Sequence, residues 1–483
     1  MAREALDVAF HPRSVAVVGA SATTTSAGYN FVSNLITYGF QGKIYPVTAK
    51  WPAVLGHTAY ATLKDVPGSI DYVICCLPAA GVMDLLRQCA EKEVRVVHLF
   101  TGRFSETGQK EPAFLEKEIL RLANELDIRL IGPNCMGIYN PEQGISFNYD
   151  FPADPGKLGM FNQSGGASAE FVYYGGLRGL RFSKVISYGN AIDINETELL
   201  QYLANDDATR VIASYIEGLK DGEGFIHALK QATPLKPVIV LKAGRSGAGA
   251  RAAASHTAAM AGTLSIWEAA LRQAGAVQAR SLEDMIDLAL AFYFLPPVTG
   301  NRVGVVGGGG GTSVLSADEW EEAGFELAPF PQEIERLIRR SLPELWWGWI
   351  KNPVDMSLFP LSARTENLSG NILKEMTQAD GFDVVVANLA MGGPFSRKDF
   401  AAFSNWQVDT IIEVKKTSTK AMVAVLNTGV LRPSDFGDER WQALADMAMR
   451  LTGAGIPVYP NPHRAAGAVF RLMKYHQWKE MCG

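Results

Sequence analysis

Three consecutive doubly wound α/β domains are the fold class this sequence predicts, and three observations predict it. Strand-like and helix-like segments alternate along the 483 residues, the order that layers helices on parallel sheets. An apolar strand running into glycine and other small residues occurs three times, as Val15–Ser21, Leu158–Gly166 and Val303–Gly311. The copies lie about 145 residues apart, roughly one doubly wound domain each. Pro- and Gly-rich stretches near Asn140–Gly156 and Pro296–Asn301 mark the joints. The expected division is 1–145, 146–297 and 298–483.

Composition narrows the function classes. The apolar fraction is 47% and the charged fraction 20%, ordinary for a packed soluble protein. The formal net charge is -5, with no basic stripe, so no nucleic-acid partner is expected. No apolar run reaches spanning length and Met1–Ala5 does not read as a signal peptide, so no membrane partner and a cytoplasmic location are expected. The five cysteines form no CxxC pair and no metal-ligand spacing, so no metal site is expected on this chain.

In the first domain, the turn Gly19-Ala20-Ser21 that follows strand Val15–Val18 is not a GxGxxG fingerprint. The second strand, Lys43–Val47, ends in Thr48-Ala49-Lys50. A dinucleotide site of the NAD kind places an Asp or Glu there for the ribose. Lys50 suits a phosphorylated ribose or a pyrophosphate instead. That favours coenzyme A, with its 3′-phosphate, over NAD; a surface lysine with no ligand is the other reading. The third strand, Tyr72–Leu77, runs into Pro78. The fourth, Val94–Leu99, contains His98, read as a core histidine. The last, Ile128–Ile131, runs into Gly132-Pro133-Asn134-Cys135-Met136-Gly137. Each ends in a small or turn-forming segment, as a cleft along one sheet edge requires. Cys135 is read as a small buried thiol, not as a nucleophile.

The second domain carries two features. Ser164-Gly165-Gly166 opens the apolar helix Ala167–Tyr174, and a Gly-rich turn before a helix presents free N–H groups and the positive dipole end to an anion. Small residues that only permit tight packing are the alternative at all three such turns. The run Gly244–Gly262 follows the strand Pro237–Lys242 and sets one imidazole, His256, among Gly, Ala and Ser, with Arg245 and Arg251 upstream. Such a loop can carry a nucleophilic histidine near an anion, or it is a solvated loop whose histidine does nothing. The third domain offers less. Gly307–Gly311 is not a Walker A loop, since no Gly-Lys-Ser/Thr follows. Asp355 reads as a motif residue or a helix cap. Trp346, Trp347 and Trp349 read as a core or interface patch or an exposed contact for a partner or an acyl group.

Taken in order, the motifs GAS at 19–21, YPVTAK at 45–50, GPNCMG at 132–137, NQSGG at 162–166, SKVISYGN at 183–190, YIEG at 215–218, LKAGRS at 241–246, SHTAAMAG at 255–262 and NPVD at 352–355 carry a resemblance over essentially the whole chain. It resembles the α subunit of the NDP-forming acyl-CoA synthetases, the ADP-forming acetate–CoA ligase group related to succinyl-CoA synthetase. The departures are Thr48 for Asn, Arg103 for Gly, Asn162 for Ser, and the pentaglycine at 307–311. They bear on acyl specificity and CoA geometry.

The resemblance implies a Rossmann-like CoA-binding domain followed by two flavodoxin-like, succinyl-CoA synthetase-like domains. It implies a relay in which acyl-CoA and phosphate give an acyl phosphate, and the phosphoryl group passes to His256 and then to a nucleoside diphosphate. By the same resemblance Glu217 is the acidic partner of His256, and Ser164, Gly165 and Gly166 cradle the phosphohistidine. Gly19, Ser21, Lys50, Pro78, Asn134 and Cys135 match the CoA side. No ATP-grasp unit is evident, so ADP or ATP and Mg²⁺ are expected on a separate β subunit in an α2β2-like hetero-oligomer. The competing readings are a non-catalytic CoA or acyl-CoA binder and an acyl or carbamoyl transferase without phosphohistidine. Intact His256 and Glu217 count against the binder, and the unsubstituted His256 counts against the transferase. An NAD dehydrogenase ranks below them, because the ribose acid is missing and Lys50 stands there.

Overall fold

Runs of β-branched and aliphatic residues become strands buried on both faces, as in parallel sheets covered by helices. Val15, Ala16 and Val17 are fully buried. The computed structural model describes residues 2–249, 251, 264–342, 348–359, 367–389, 397–426 and 439–482. They form two compact units, Met1–Met285 and Ile286–Gly483.

The first unit holds two of the three main sheets. Strands β1 (Ser14–Val18) and β2 (Lys43–Val47) are followed by a two-stranded ribbon of β3 (Ala53–Val54) and β4 (His57–Thr58). Strands β5 (Tyr72–Cys75), β6 (Val96–Leu99) and β7 (Arg129–Ile131) complete a parallel sheet of order β2-β1-β5-β6-β7. The next strand, β8 (Gly137–Tyr139), crosses over and pairs antiparallel with β10 (Phe182–Ser187). The chain therefore enters the second sheet before the Pro- and Gly-rich stretch at 140–156. With β9 (Pro155–Asn162), β11 (Val211–Ile216), β12 (Val238–Lys242) and β13 (Val277–Ala279), that sheet has the order β13-β12-β11-β9-β10-β8, parallel apart from β8.

Two of the contacts that join the sheets lie outside the glycine turns. Arg129 on β7 bridges Asp193 at 2.9 Å and Glu198 at 2.8 Å, half-sheltered pairs whose two-pronged geometry suits guanidinium. The N-terminal helix Ala2–Phe10 stacks Phe10 on Tyr202 at 5.2 Å, and the Tyr202 hydroxyl donates to Asp7 Oδ1 at 2.9 Å.

The second unit contains a parallel sheet of β14 (Arg302–Gly307), β15 (Glu326–Leu327), β16 (Val384–Leu389), β17 (Ala421–Leu426) and β18 (Val458–Tyr459), ordered β15-β14-β16-β17-β18. Asn352 ties its rim together. Its Oδ1 accepts from Val305 N at 2.9 Å, and its Nδ2 donates to the Val303 and Ala328 carbonyls at 2.7 and 2.9 Å.

All three sheets are α/β and doubly wound with one order. Leaving the antiparallel edge strand β8 aside, the first strand in sequence lies between the second and the third, so the winding reverses beside β1, β9 and β14. These are the three strands that run into glycine. In such sheets ligands bind outside the carboxyl ends, at the reversal. No described helix is long and apolar enough to cross a membrane.

Candidate functional site

The reversal in the second sheet, beside β9 and β11, opens into a cleft of about 650 Å³. Helix Gly165–Leu177 starts directly after β9 with Ser164 as its N-cap, whose Oγ accepts from Ala167 N at 3.2 Å. Gly165 and Gly166 line the cleft, and first-turn N–H groups have no acceptor within their own helix. A Cβ at Gly165 would come within 2.6 Å of Met136 Cγ, so glycine permits the close approach of the 132–137 loop. At Gly166 the nearest contact of a Cβ would be Ser164 Oγ at 3.9 Å, which leaves that side open to a ligand. An N–H cluster at the positive end of a dipole, with room in front of it, fits a phosphoryl group.

Glu217 follows β11 and lines the same cleft. Its backbone is held from both sides. The buried Gln163 accepts from the N–H of Glu217 and, at 3.0 Å, from that of Gly218, and its Nε2 donates to the Gly218 carbonyl at 2.9 Å. Lys242 Nζ donates to the Glu217 carbonyl at 2.7 Å and lies 5.5 Å from the Trp267 ring centroid. Burial pulls the Lys242 ammonium down, and Glu217 acts against that. On the carboxylate, Oε1 accepts from the Tyr215 hydroxyl at 3.2 Å. Oε2 is buried and has no hydrogen-bond partner among the described residues.

The 132–137 loop forms the facing wall. Asn134 sits at φ 59 and Gly137 at φ 79, left-handed conformations that asparagine and glycine tolerate best. Asn134 N donates to the Thr101 carbonyl at 2.9 Å, Asn190 N to the Pro133 carbonyl at 3.0 Å, and Met136 N to Ser187 Oγ at 3.2 Å. His98 is the core histidine the sequence implied, and it also anchors this loop, with Nε2 3.0 Å from the Cys135 carbonyl. Burial lowers the His98 pKa to about 4. Cys135 is buried, its Sγ 3.8 Å from the Leu99 carbonyl, and burial pushes its thiol well up, the opposite of activation. Asn190 Nδ2 spans two carboxylates, Glu106 at 2.7 Å and Glu116 at 2.9 Å, and so braces the Arg103–Ser105 turn against the cleft.

Gly19, Ser21, Lys50 and Pro78 gather at the reversal of the first sheet, after β1, β2 and β5. A Cβ at Gly19 would lie 3.0 Å from the Cys76 backbone, and its φ is +87, so the turn needs glycine. Gly19 N and Ala20 N both donate to the Val47 carbonyl, at 3.0 and 3.2 Å. Ser21 Oγ accepts from Thr23 N at 3.0 Å. The Pro78 carbonyl accepts from Gly81 N at 2.9 Å. Lys50 is exposed, with its ammonium 5.3 Å from the Trp51 ring centroid. An exposed cation after β2 and a pinched glycine turn after β1, at the carboxyl ends of paired strands, fit a phosphorylated nucleotide.

The expected sites thus fall into two groups on one unit. Asn134, Cys135, Ser164, Gly165, Gly166 and Glu217 share the cleft, and the other four follow the strand ends of the first sheet. Ala243, Gly244 and Gly249 bring the start of the histidine loop to the cleft wall, but His256 itself lies outside the described residues. So do Trp346 and Trp347; Trp349 is exposed. In the second unit Asp355 is a cap, its Oδ1 accepting from Ser357 N at 2.8 Å. Among the described residues no group of three or more His, Cys, Asp or Glu could hold a metal ion. Gln163 and Tyr215 were not singled out from sequence. The one signal for Tyr215 is its spacing of two from Glu217, which puts both on one face of a strand.

Residues 13–141 match a CoA binding domain family, and residues 155–292 match a succinyl-CoA ligase-like flavodoxin domain. The α subunit of ADP-forming acetate–CoA ligase II from Pyrococcus furiosus is 36% identical over 97% of this chain and 97% of its own length. The chain belongs to the family of ADP-forming acyl-CoA ligase α subunits. An ADP-forming 4-hydroxybutyrate–CoA ligase from Nitrosopumilus maritimus is 30% identical over 97% of this chain, which spans 64% of that longer protein. Among solved structures, a Ca. Korarchaeum cryptofilum acetyl-coenzyme A synthetase in complex with phosphate and ADP superposes with a TM-score of 0.84 at 29% identity, covering 99% of this chain and 98% of its own. Family membership makes the chain an ADP-forming acid–thiol ligase subunit, with CoA and a nucleotide among the reactants. Relatives named as α subunits imply a separate partner subunit.

Proposed function

We propose that this chain carries the CoA-side and phosphohistidine steps of an acyl-CoA synthetase whose ATP-grasp unit, nucleotide and Mg²⁺ reside on a β subunit, in an α2β2-like assembly. Residues 1–145 bind CoA, residues 146–297 carry the relay, and residues 298–483 form a second ligase domain. Five free cysteines fit a reducing, cytoplasmic setting.

Inorganic phosphate attacks the thioester carbonyl of acyl-CoA, the C–S bond breaks, and CoA leaves as the thiol. The acyl phosphate meets an imidazole nitrogen of His256, the P–O bond to the acyl group breaks, and the carboxylic acid departs. The phosphoryl group then passes to ADP, giving ATP; the reverse sequence makes acyl-CoA. In-line transfer of this kind needs positioning and charge stabilisation more than covalent help. Lys50 holds the CoA 3′-phosphate, and the Ser164–Gly166 helix start holds the phosphoryl group in transit.

The observation that carries this reading is the Glu217 carboxylate. One oxygen is held and the other is buried in the cleft with no partner among the described residues, beside a helix N-terminus and next to the start of the His256 loop. A carboxylate so placed can accept one imidazole N–H, fix the tautomer and leave the other nitrogen free to attack.

The test is phosphoryl transfer to the chain reconstituted with an ATP-grasp β subunit, Mg²⁺ and γ-labelled ATP. An acid-labile, base-stable label mapping to His256 is expected, with none on His256→Ala and CoA binding intact in that variant. A label that persists in His256→Ala, or loss of CoA binding along with the label, overturns the reading.

A further inference from the structure

We infer that Tyr215 is a positioning residue for the phosphoryl relay, holding the Glu217 carboxylate so that its second, buried oxygen keeps one orientation. This rests on the reading of Glu217 given above.

The geometry isolates one degree of freedom. The backbone of Glu217 is fixed at its N–H by Gln163 and at its carbonyl by Lys242. The carboxylate itself, at the end of a rotatable side chain, accepts one hydrogen bond among the described residues, from the Tyr215 hydroxyl to Oε1 at 3.2 Å. Tyr215 is held in turn. It stands two residues earlier on the same strand face, its N–H donates to Asn162 Oδ1 at 2.8 Å, and its carbonyl accepts from Gln163 N at 3.1 Å. With Oε1 tethered to a side chain whose main chain is pinned, Oε2 has a defined direction, and it is the atom left without a partner among the described residues. Tyr215 also lines the cleft wall.

The surroundings keep the hydroxyl a donor. Burial, and then the facing Glu217 carboxylate, push the Tyr215 pKa up. The other groups facing Glu217 do not replace it. The Lys242 ammonium is committed to the main-chain carbonyls of Glu217 and Ala243. The Tyr188 hydroxyl, beyond β10, is fully buried and has no partner among the described residues.

The experiment compares Tyr215→Phe, Glu217→Gln and the double variant in the reconstituted complex, reading single-turnover labelling of His256 and steady-state kcat and KM. Tyr215→Phe keeps the ring and removes only the donor. Its labelling rate and kcat are expected to fall roughly tenfold, the share of one hydrogen bond to a charged group, with KM for CoA and phosphate unchanged. In the Glu217→Gln background the same substitution is expected to cost almost nothing further, because Tyr215 acts through Glu217. Equal losses in both backgrounds, a rise in KM in place of the fall in kcat, or no loss at all overturns the inference and leaves the relay standing. An unlabelled parent complex overturns the relay reading and this inference with it.

Discussion

Replacing Gln163 with leucine removes the clamp on the Glu217 turn while keeping roughly the same bulk. The side chain is 8% exposed and makes three hydrogen bonds, from Glu217 N and Gly218 N to its Oε1 and from its Nε2 to Gly218 O. Leucine can make none of them. Each net hydrogen bond is worth about 1 kcal/mol, and each buried main-chain group left unpaired costs about 1–3 kcal/mol. Part of this is recovered as the loop relaxes, so a loss of about 3–5 kcal/mol is expected. For a unit of this size that is a fall of roughly 5–8 °C in the midpoint of its thermal transition. Differential scanning calorimetry reads the midpoint, and His256 labelling reads the effect on the relay, which should be slow because Glu217 is no longer held. Gln163→Glu should fall between parent and Gln163→Leu, since it keeps both acceptor bonds and loses the donor. A midpoint within about 2 °C of the parent, with unchanged labelling by Gln163→Leu, would refute the claim that this side chain holds the turn.

Two further outcomes follow from the same structure. Lys50→Ala should weaken CoA roughly fivefold by titration calorimetry, the worth of about 1 kcal/mol for an exposed charged contact, and dephospho-CoA much less; equal losses remove the 3′-phosphate assignment. Burial holds His98 at about 4 in the folded chain, against about 6.5 when unfolded. The unfolded state therefore takes up the proton first, and stability present above pH 6.5 is lost as pH falls towards 4. That loss amounts to up to about 3 kcal/mol from this group. Urea unfolding of the parent should show the extra decline over that window relative to His98→Gln, and parallel pH dependences would contradict it.

Much of the fold was legible because its signals are local. Strand runs such as Val15–Val18 and the glycines that end β1, β9 and β14 announce themselves within a few residues, and the repeated turn marks each reversal of winding. The Ser164 cap and the small residues after it were readable for the same reason. Cys135 was legible too, as an inert thiol in an apolar setting. The crossing of β8 into the second sheet was not, because three residues, Gly137–Tyr139, give no hint of which edge they will join. Nor was the work of His98. Its core position follows from an apolar strand, but its bond to the Cys135 carbonyl spans 37 residues.

The sequence by itself determined the α/β class, the three glycine-ended strands, the candidate anion turns and, through its ordered motifs, the family. Tertiary structure decided that the 164–166 turn shares a cleft with the 132–137 loop and which residues hold Glu217 there. Gln163 and Glu217 are 54 residues apart and meet because β9 and β11 lie side by side, a neighbourhood set by the winding order of the whole sheet. Strand and turn formation depends on φ/ψ preference and side-chain alternation over a few residues. Orienting one carboxylate depends on hydrogen bonds between strands that only the folded sheet makes adjacent.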